Sequence, residues 1–364
     1  MTVLGRLVCC LALLICCQST GFRGGLFVFS VYHSGVLCWT SVLGICVGGP
    51  CSLCGLDTVF VFVLDDLLSP FAIARLKESL SYADQWLELA PTRLLAACKR
   101  EGVSPVAPLR GGNRSVACWG LDGSGSHVAV KLAAYPGATR REAASLRALA
   151  PSGRVPGVIL ADLHREVLVS ELVRGSTPLS STVETREEVA GVAGLLAAFA
   201  ECAPDDVPDD VSLGWRLGQA WQSAQHWTSA PRIELASAAD RLERFSGVDK
   251  VVLHGDLVPG NILITQDGAL LGIDPQAVVG EIESAAASWG LLRSNGDEQG
   301  WRAGGGAVRR ALLLCSVLGV DSERALAHLS FQALELACRQ SYWGEWDWVS
   351  ESLDVSRAAA AALR

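Results

Sequence analysis

The sequence has little positive charge and no stretch rich in lysine or arginine. Its 364 residues include 30 Lys and Arg against 38 Asp and Glu, which gives a formal net charge of −8. Proteins that bind nucleic acid usually concentrate basic residues on one face, so this composition argues against a nucleic-acid partner. A small acidic excess suits a cationic small molecule, although it is also common in ordinary cytosolic proteins.

Residues 1–63 lack charge and are rich in cysteine. No Asp, Glu, Lys or Arg lies between Arg23 and Asp57, and eight of the 13 cysteines precede residue 55. One interpretation is a secretory signal with Arg6 before an apolar run. A second is a membrane span within Gly24–Pro50, although glycines interrupt it. A third is metal binding by Cys51 and Cys54, but no second cysteine pair follows at zinc-finger spacing.

We favour a fourth interpretation, in which residues 1–63 are an upstream extension with no place in the fold, such as one produced by a misplaced start. Met1 is the only methionine, so no internal methionine offers another start. After residue 63 the composition becomes that of a globular protein. The five later cysteines are scattered singly, as is usual for reduced thiols of a cytosolic enzyme.

The stretch that carries the chemistry is Val251–Asp274, VVLHGDLVPGNILITQDGALLGID. Short apolar runs surround Asp267-Gly268, which is a strong signal for a two-residue hairpin turn. Counted from the centre of that turn, Asn261 and Asp274 are equally distant, so we expect them to face each other. Asp256 lies one short loop away. Two carboxylates and an amide oxygen therefore converge, and such hard oxygen ligands suit Mg²⁺.

This pattern resembles the aminoglycoside phosphotransferase family, whose members are related to the protein kinases. His254-Gly255-Asp256 with Asn261 is similar to the family's H-G-D-x-x-x-x-N, and Ile273-Asp274 to its metal-binding aspartate. The run from Ile273 through Pro275 to Gly280-Glu281 looks like the streptomycin and hydroxyurea (aminoglycoside 6-phosphotransferase) branch. The resemblance implies that Asp256 is the catalytic residue, that His254 braces the loop by hydrogen bonding, and that Asn261 and Asp274 hold Mg²⁺.

A nucleotide site is indicated upstream. Val128-Ala129-Val130-Lys131 resembles the kinase V-A-I-K strand, whose lysine pairs with the nucleotide phosphates. Glu142, eleven residues later in a helical run, resembles the glutamate that holds this lysine. Two further groups complete the predicted ATP site by position: a phosphate-covering turn with Gly111, Gly112, Asn113 and Ser115, and a hinge whose backbone near Glu171 and Val173 would bond adenine.

The resemblance implies an α+β, bilobal protein-kinase-like fold with a small β-rich N-lobe and a larger helical C-lobe. The predicted divisions are residues 1–63 as the extension, 64–175 as the N-lobe with leading helices, and 176–364 as the C-lobe. In the leading helices, Pro91 is expected to separate two segments. The implied activity is ATP-dependent and cytoplasmic. It transfers phosphate to a hydroxyl of a small molecule, such as a cationic aminocyclitol of the streptomycin kind, and would confer antibiotic resistance.

One departure from the family pattern leaves other functions open. Relatives carry an aspartate shortly after the Gly-Glu pair that supports the catalytic loop, whereas this chain has Ala285 there, with Glu281 or Glu283 as substitutes. The chain is therefore also compatible with a weakened, nucleotide-binding kinase-like protein. A kinase of another hydroxylated metabolite and a kinase anchored to a membrane by residues 1–63 also remain open.

Overall fold

The fold begins with helices packed on an antiparallel sheet and continues as a mainly helical region. In the computed structural model, the described residues are 62, 64–109, 114–174, 176–179, 186–204, 207, 213–224, 229–245, 249–291, 305–342 and 346–363. The predicted extension, apart from residue 62, therefore lies outside the described residues. Among the helices that are described, none is both long and apolar enough to cross a membrane.

The N-terminal region places a helix against a five-stranded sheet. Its elements are α1 (Leu64–Leu67), α2 (Pro70–Ser79), α3 (Ala83–Arg100), β1 (Ser104–Leu109), β2 (Ser115–Leu121), β3 (His127–Ala133), α4 (Ala138–Leu149), β4 (Val158–Asp162) and β5 (Val167–Glu171). The strand order is β1-β2-β3-β5-β4, and every neighbouring pair is antiparallel. Side chains of α3 and alternate residues of β2 and β3 share one apolar core, because period-two and helical patterns each present one apolar face.

Pro91 does not separate two helices, contrary to the expectation from sequence. It lies inside α3, and the break comes earlier, where Leu80 adopts an extended backbone after α2. An internal proline removes one helical hydrogen bond and strains the preceding turn. The buried stripe of Leu87, Ala90 and Leu94, which packs on the core on both sides of the proline, offsets that cost.

The C-terminal region is mainly helical and contains three short strand pairings. Its elements are β6 (Thr177–Pro178), α5 (Arg186–Ala200), α6 (Leu213–Ser223), α7 (Ser229–Glu243), β7 (Val251–Leu253), β8 (Ile262–Ile264), β9 (Leu270–Gly272), β10 (Val278–Gly280), α8 (Ile282–Gly290), α9 (Gly305–Leu318), α10 (Ser322–Tyr342) and α11 (Trp346–Ala362). α10 is buried over most of its length and contacts α7, α8, α9 and α11. The mixed α+β architecture predicted from sequence is confirmed.

The hairpin β8–β9 exists, but its register differs from the expected one. Ile264 pairs with Leu270, and the loop between them is closed by bonds from the Thr265 N–H to the Ala269 carbonyl and from the Gly268 N–H to the Thr265 carbonyl. The central turn residues are thus Gln266 and Asp267, with Gly268 following at φ +82°. Asn261 consequently lies opposite Ile273, whose N–H donates to the Asn261 carbonyl at 2.8 Å, and Asp274 is one residue further along.

A second pairing was not predicted from sequence. β7 and β10 are antiparallel, with Val251 opposite Gly280 and Leu253 opposite Val278. Each strand has only three residues, too few to show a pattern in sequence. The pairing brings the residues after Leu253 and those before Val278 to the same edge, and this places Asp256 beside the chain that follows Asp274.

Candidate active site

Lys131 joins the two regions of the fold. Its Nζ lies 2.8 Å from Oε2 of Glu142 and 2.8 Å from Oδ1 of Asp274. Burial disfavours the charge of this lysine, but the two carboxylates outweigh burial and raise the pKa of Lys131 above its usual value. The ammonium group is therefore charged at neutral pH and held at the point where strand β3, helix α4 and the end of the β8–β9 hairpin meet.

Glu142 lies on helix α4, and a residue from the turn between β4 and β5 stabilises the N-terminus of this helix. Gly137, at φ +76°, is the N-cap residue of α4 and provides no capping side chain. Glu166, in the turn between β4 and β5, accepts hydrogen bonds from the N–H groups of Gly137 and Thr139. A carboxylate at this helix terminus satisfies free N–H groups and complements the helix dipole. Sequence reasoning missed Glu166, because its partner helix precedes it in the chain.

Asp256 is held by two side-chain amides. Nδ2 of Asn261 donates to the Asp256 carbonyl at 2.9 Å and to Oδ2 at 3.3 Å, and Nε2 of Gln276 donates to the same Oδ2 at 3.3 Å. Burial raises the pKa of Asp256, and the positive charge of Arg114 partly opposes that rise. Gln276 and Arg114 were both missed from sequence, because neither belongs to the H-G-D-x-x-x-x-N motif.

Gly255 lets the chain pass closely over the segment after Asp274. It has φ +79°, and a Cβ there would lie 1.9 Å from the carbonyl oxygen of Gln276. The Gln276 N–H in turn donates to the His254 carbonyl at 2.8 Å. The glycine of the H-G-D motif is therefore required by both its backbone conformation and the space available to it.

We expect Gly255→Ala to lower the free energy of unfolding by more than about 2 kcal/mol, because the left-handed conformation and the overlap with Gln276 each destabilise the variant. Chemical denaturation measures the change. The matched control is Gly123→Ala, at a turn glycine that would meet nothing within 4 Å; it should stay within about 0.5 kcal/mol of the parent. Equal effects of the two substitutions would contradict the close approach.

His254 is enclosed by packing, and the bracing by hydrogen bonding that the resemblance implied stays a prediction. Its ring is fully buried, and among the described residues no group makes a well-aligned hydrogen bond to either ring nitrogen. The ring lies 5.6 Å from that of Phe199, and a Cβ at Gly272 would come within 2.9 Å of its Cδ2 atom. Burial lowers the pKa of His254 to about 4, so the side chain is neutral at physiological pH.

Asp274 adopts a backbone conformation that is unusual for a residue with a side chain. Its φ is +56°, in the left-handed region that aspartate tolerates better than most residues. Its side chain is 42% exposed, compared with 18% for Lys131. Strained residues of this kind concentrate at functional sites. The conformation turns the chain sharply after β9, so that one carboxylate oxygen reaches Lys131.

The other predicted nucleotide-site residues are only partly described. Gly111, Gly112 and Asn113 lie outside the described residues, whereas Ser115 is buried at the start of β2. At the predicted hinge, the Glu171 N–H donates to the Gly157 carbonyl and the Val173 carbonyl accepts from Oγ of Ser176. These two backbone groups are thus already bonded, which the sequence did not indicate.

Among the described residues, the partners of Glu281 and Glu283 lie away from the loop that contains Asp256. Glu281 pairs with Nε2 of His328 at 2.8 Å, and Glu283 lies 4.0 Å from Arg324. Both partners are on α10, so these carboxylates fasten α8 to the helical core. Ala285 instead lines the cavity beside Asp256.

That cavity opens on the helical side of Asp256 and has a volume of about 580 Å³. Its charged lining residues in the described part of the chain are Arg216, Asp256, Glu335 and Arg339. Arg216 forms a two-point pair with Glu335 and lies over the Phe331 ring at 5.1 Å. The wall therefore presents hydrogen-bond donors and acceptors beside Asp256.

Comparison with solved structures shows the same fold in several kinases. Choline kinase LicA from Streptococcus pneumoniae superposes with a TM-score of 0.55 at 16% identity, covering 74% of this chain and 97% of that chain. A choline/ethanolamine kinase family protein from Mesorhizobium loti gives a TM-score of 0.55 at 12% identity, covering 79% and 93%. A thermostable mutant of aminoglycoside phosphotransferase APH(4)-Ia, in a complex with ADP and hygromycin B, gives 0.55 at 15% identity, covering 74% and 98%.

Sequence comparison agrees with the structural one. No curated protein matches the chain. Residues 106–274 match the model of the phosphotransferase enzyme family, APH. The matched range contains Lys131, Glu142, Asp256 and Asn261, and it ends at Asp274. We conclude that this chain has a protein-kinase-like fold and that residues 106–274 are similar in sequence to the APH phosphotransferase enzyme family.

Proposed function

We propose that the protein is an ATP-dependent O-phosphotransferase that acts on a hydroxyl of a small molecule. The observation that carries this proposal is the bridge from Lys131 to both Glu142 and Asp274, each at 2.8 Å. The bridge joins the proposed phosphate-binding lysine to a proposed metal ligand, and Asp256 faces an adjoining cavity. Phosphoryl transfer depends mainly on positioning and electrostatics, and these groups supply both.

The residues present fit Mg²⁺. The amide nitrogen of Asn261 is turned toward Asp256, which leaves its amide oxygen for a cation, and the Asp274 carboxylate is partly exposed. Within the described ranges, no three His, Cys, Asp or Glu side chains form a group that would hold a metal alone. The proposed site therefore consists of two protein oxygens with water and phosphate oxygens, an arrangement that Mg²⁺ accepts. When bound, Mg²⁺ neutralises charge on the phosphates.

Each proposed role follows from a contact. Lys131, directed by Glu142, binds phosphate oxygens of ATP, and its raised pKa keeps it charged. Asp256 accepts or orients the proton of the attacking hydroxyl while that oxygen bonds to the γ-phosphorus and ADP leaves. His254 is buried and neutral, so it supports the loop and takes no proton. This ATP-dependent chemistry is proposed to occur in the cytoplasm.

For the acceptor, we propose an aminoglycoside of the streptomycin kind, phosphorylated as a mechanism of antibiotic resistance. The Ile273-Asp274-Pro275 run and the acidic composition support this choice. A similar fold binds hygromycin B in one solved structure. A second candidate is another hydroxylated metabolite with little net charge. The Arg216–Glu335 pair favours it, because Arg216 neutralises Glu335, which with Asp256 supplies the carboxylates that line the described cavity.

The test is a phosphoryl-transfer assay with radiolabelled ATP and the full chain. Streptomycin, hygromycin B, choline and neutral polyols are offered as acceptors, and ATP hydrolysis without acceptor is the background. Labelled streptomycin supports the first acceptor, and label only on choline or a polyol supports the second candidate. Nucleotide binding without transfer to any acceptor would indicate a weakened kinase-like protein, which Ala285 motivates.

Lys131→Ala should reduce kcat/KM for ATP by about 100-fold, because the lysine supplies the positive charge at the proposed phosphate site. Glu142→Gln should give a smaller loss of the same kind, since it leaves the lysine misdirected but charged. Steady-state kinetics at varied ATP measure both. Lys99→Ala, on the exposed face of α3, is the matched control. A Lys131→Ala variant as active as this control would show that Lys131 is an ordinary strand lysine.

A further inference from the structure

The two carboxylate oxygens of Asp256 differ in their contacts. Oδ2 accepts from Nδ2 of Asn261 and from Nε2 of Gln276, each at 3.3 Å. Among the described residues, none donates a hydrogen bond to Oδ1. Two donors on one oxygen restrict rotation of the carboxylate about the Cβ–Cγ bond, because rotation would break both hydrogen bonds.

Backbone contacts of Gln276 and of the residue that follows it fix the position of this segment. The Gln276 N–H donates to the His254 carbonyl at 2.8 Å, and its own carbonyl lies against Gly255. The next residue, Ala277, donates its N–H to Oγ of Ser145 on α4 at 2.9 Å. The side chain between these anchors is exposed. An exposed amide on a fixed backbone that points at the proposed catalytic carboxylate is better placed to orient that carboxylate than to stabilise the fold.

We propose that Gln276 is a positioning residue that presents Oδ1 of Asp256 to the acceptor hydroxyl. This inference rests on the proposed function. With Oδ2 occupied by two amides, Oδ1 takes the proton of the acceptor O–H as its oxygen bonds to the γ-phosphorus and the bond to the ADP oxygen breaks. The other amide belongs to Asn261, which is also a proposed metal ligand. Substitution of Gln276 therefore tests the orientation of the Asp256 carboxylate without removing a proposed metal ligand.

The kinetic test compares Gln276→Met, which keeps the length of the side chain but removes the donor, with Gln276→Glu, which places a carboxylate there. We expect kcat to fall about tenfold in the first and further in the second, with KM for ATP within twofold of the parent and the thermal midpoint unchanged. Gln266→Met, at the exposed tip of the β8–β9 hairpin, is the control and should match the parent. A parent-like kcat in Gln276→Met, or a loss confined to KM for ATP, would overturn the proposal.

A second measurement does not depend on activity. In ¹⁵N-labelled full chain, the side-chain amide signals of Gln276 are assigned by their absence in Gln276→Met. Asp256→Ala should shift them and leave those of Gln266 in place, because Gln276 contacts the carboxylate and Gln266 lies at the tip of the hairpin. Unshifted Gln276 signals would overturn the inference. A parent that phosphorylates no acceptor would instead refute the proposed function, and the amide signals would still decide whether Gln276 contacts Asp256.

Discussion

Asp256→Asn is expected to lower kcat by about 10³-fold while the affinity for Mg²⁺–ATP stays within about threefold of the parent. The substitution keeps the size of the side chain and an oxygen that can accept from Asn261 and Gln276, so the loop should keep its shape. What it removes is the negative charge that accepts or orients the proton of the hydroxyl. In a loose transition state little proton transfer is needed early, so much of the loss reflects misorientation of the nucleophile.

Two measurements on the same preparation separate these effects. Calorimetric titration with nucleotide at saturating Mg²⁺ gives the affinity, and single-turnover transfer gives the rate of the chemical step. The control is Asp267→Asn, at an exposed aspartate in the turn of the β8–β9 hairpin. Normal turnover by Asp256→Asn would remove the basis of the kinase interpretation of this loop.

Asp274→Asn is expected to fail differently, by weakening the dependence of nucleotide affinity on Mg²⁺. In the parent, Asp274 is both a proposed metal ligand and a partner of Lys131 at 2.8 Å. Without its charge, Mg²⁺–ATP should bind about 10- to 100-fold more weakly than to the parent, and excess Mg²⁺ should restore part of the loss. In the presence of a chelator, the variant should bind ATP at least as tightly as the parent does. The reason is that the substitution frees Lys131 for phosphate and removes a carboxylate that repels the phosphates.

The measurement is ATP affinity of both proteins across a series of Mg²⁺ concentrations, with Asp267→Asn again as the control. The expected pattern is a strong Mg²⁺ dependence in the parent and in the control, and a weak one in Asp274→Asn. If Asp274→Asn and Asp256→Asn both bind Mg²⁺–ATP like the parent, the hairpin is not the metal site.

The local elements were predictable because their signals are local. The strand that carries Lys131 and the helix that carries Glu142 were each indicated within a few residues of sequence. The hairpin was also found, but its register was wrong by one position. Asp-Gly is a common turn pair, yet the bond from the Thr265 N–H to the Ala269 carbonyl closes a longer loop here. Short strands give too little alternation to correct such an error.

The contacts of the site were less predictable because they join distant segments. The Lys131–Asp274 pair spans 143 residues and the Asp256–Gln276 contact crosses from one loop to another. The packing of Phe199 and Gly272 around the ring of His254 was also not predicted from sequence. Glu281 and Glu283 were candidates to support the catalytic loop, but α10 supplies nearer partners in His328 and Arg324. Neither the periodicity nor the spacing of residues in the sequence indicates which distant residues will be in contact.

The sequence by itself determined which groups are available for chemistry: a lysine on an alternating strand, a glutamate eleven residues later, and an aspartate, an asparagine and a second aspartate around one hairpin. It could do so because residue type and short spacing act through local geometry. The tertiary structure decided how these groups face one another, since β7–β10 pairing and the left-handed turn at Asp274 bring separate segments to one edge. It also decided that Gln276 contacts Asp256, because the backbone contact between Gln276 and His254 brings this amide within hydrogen-bond distance of the carboxylate.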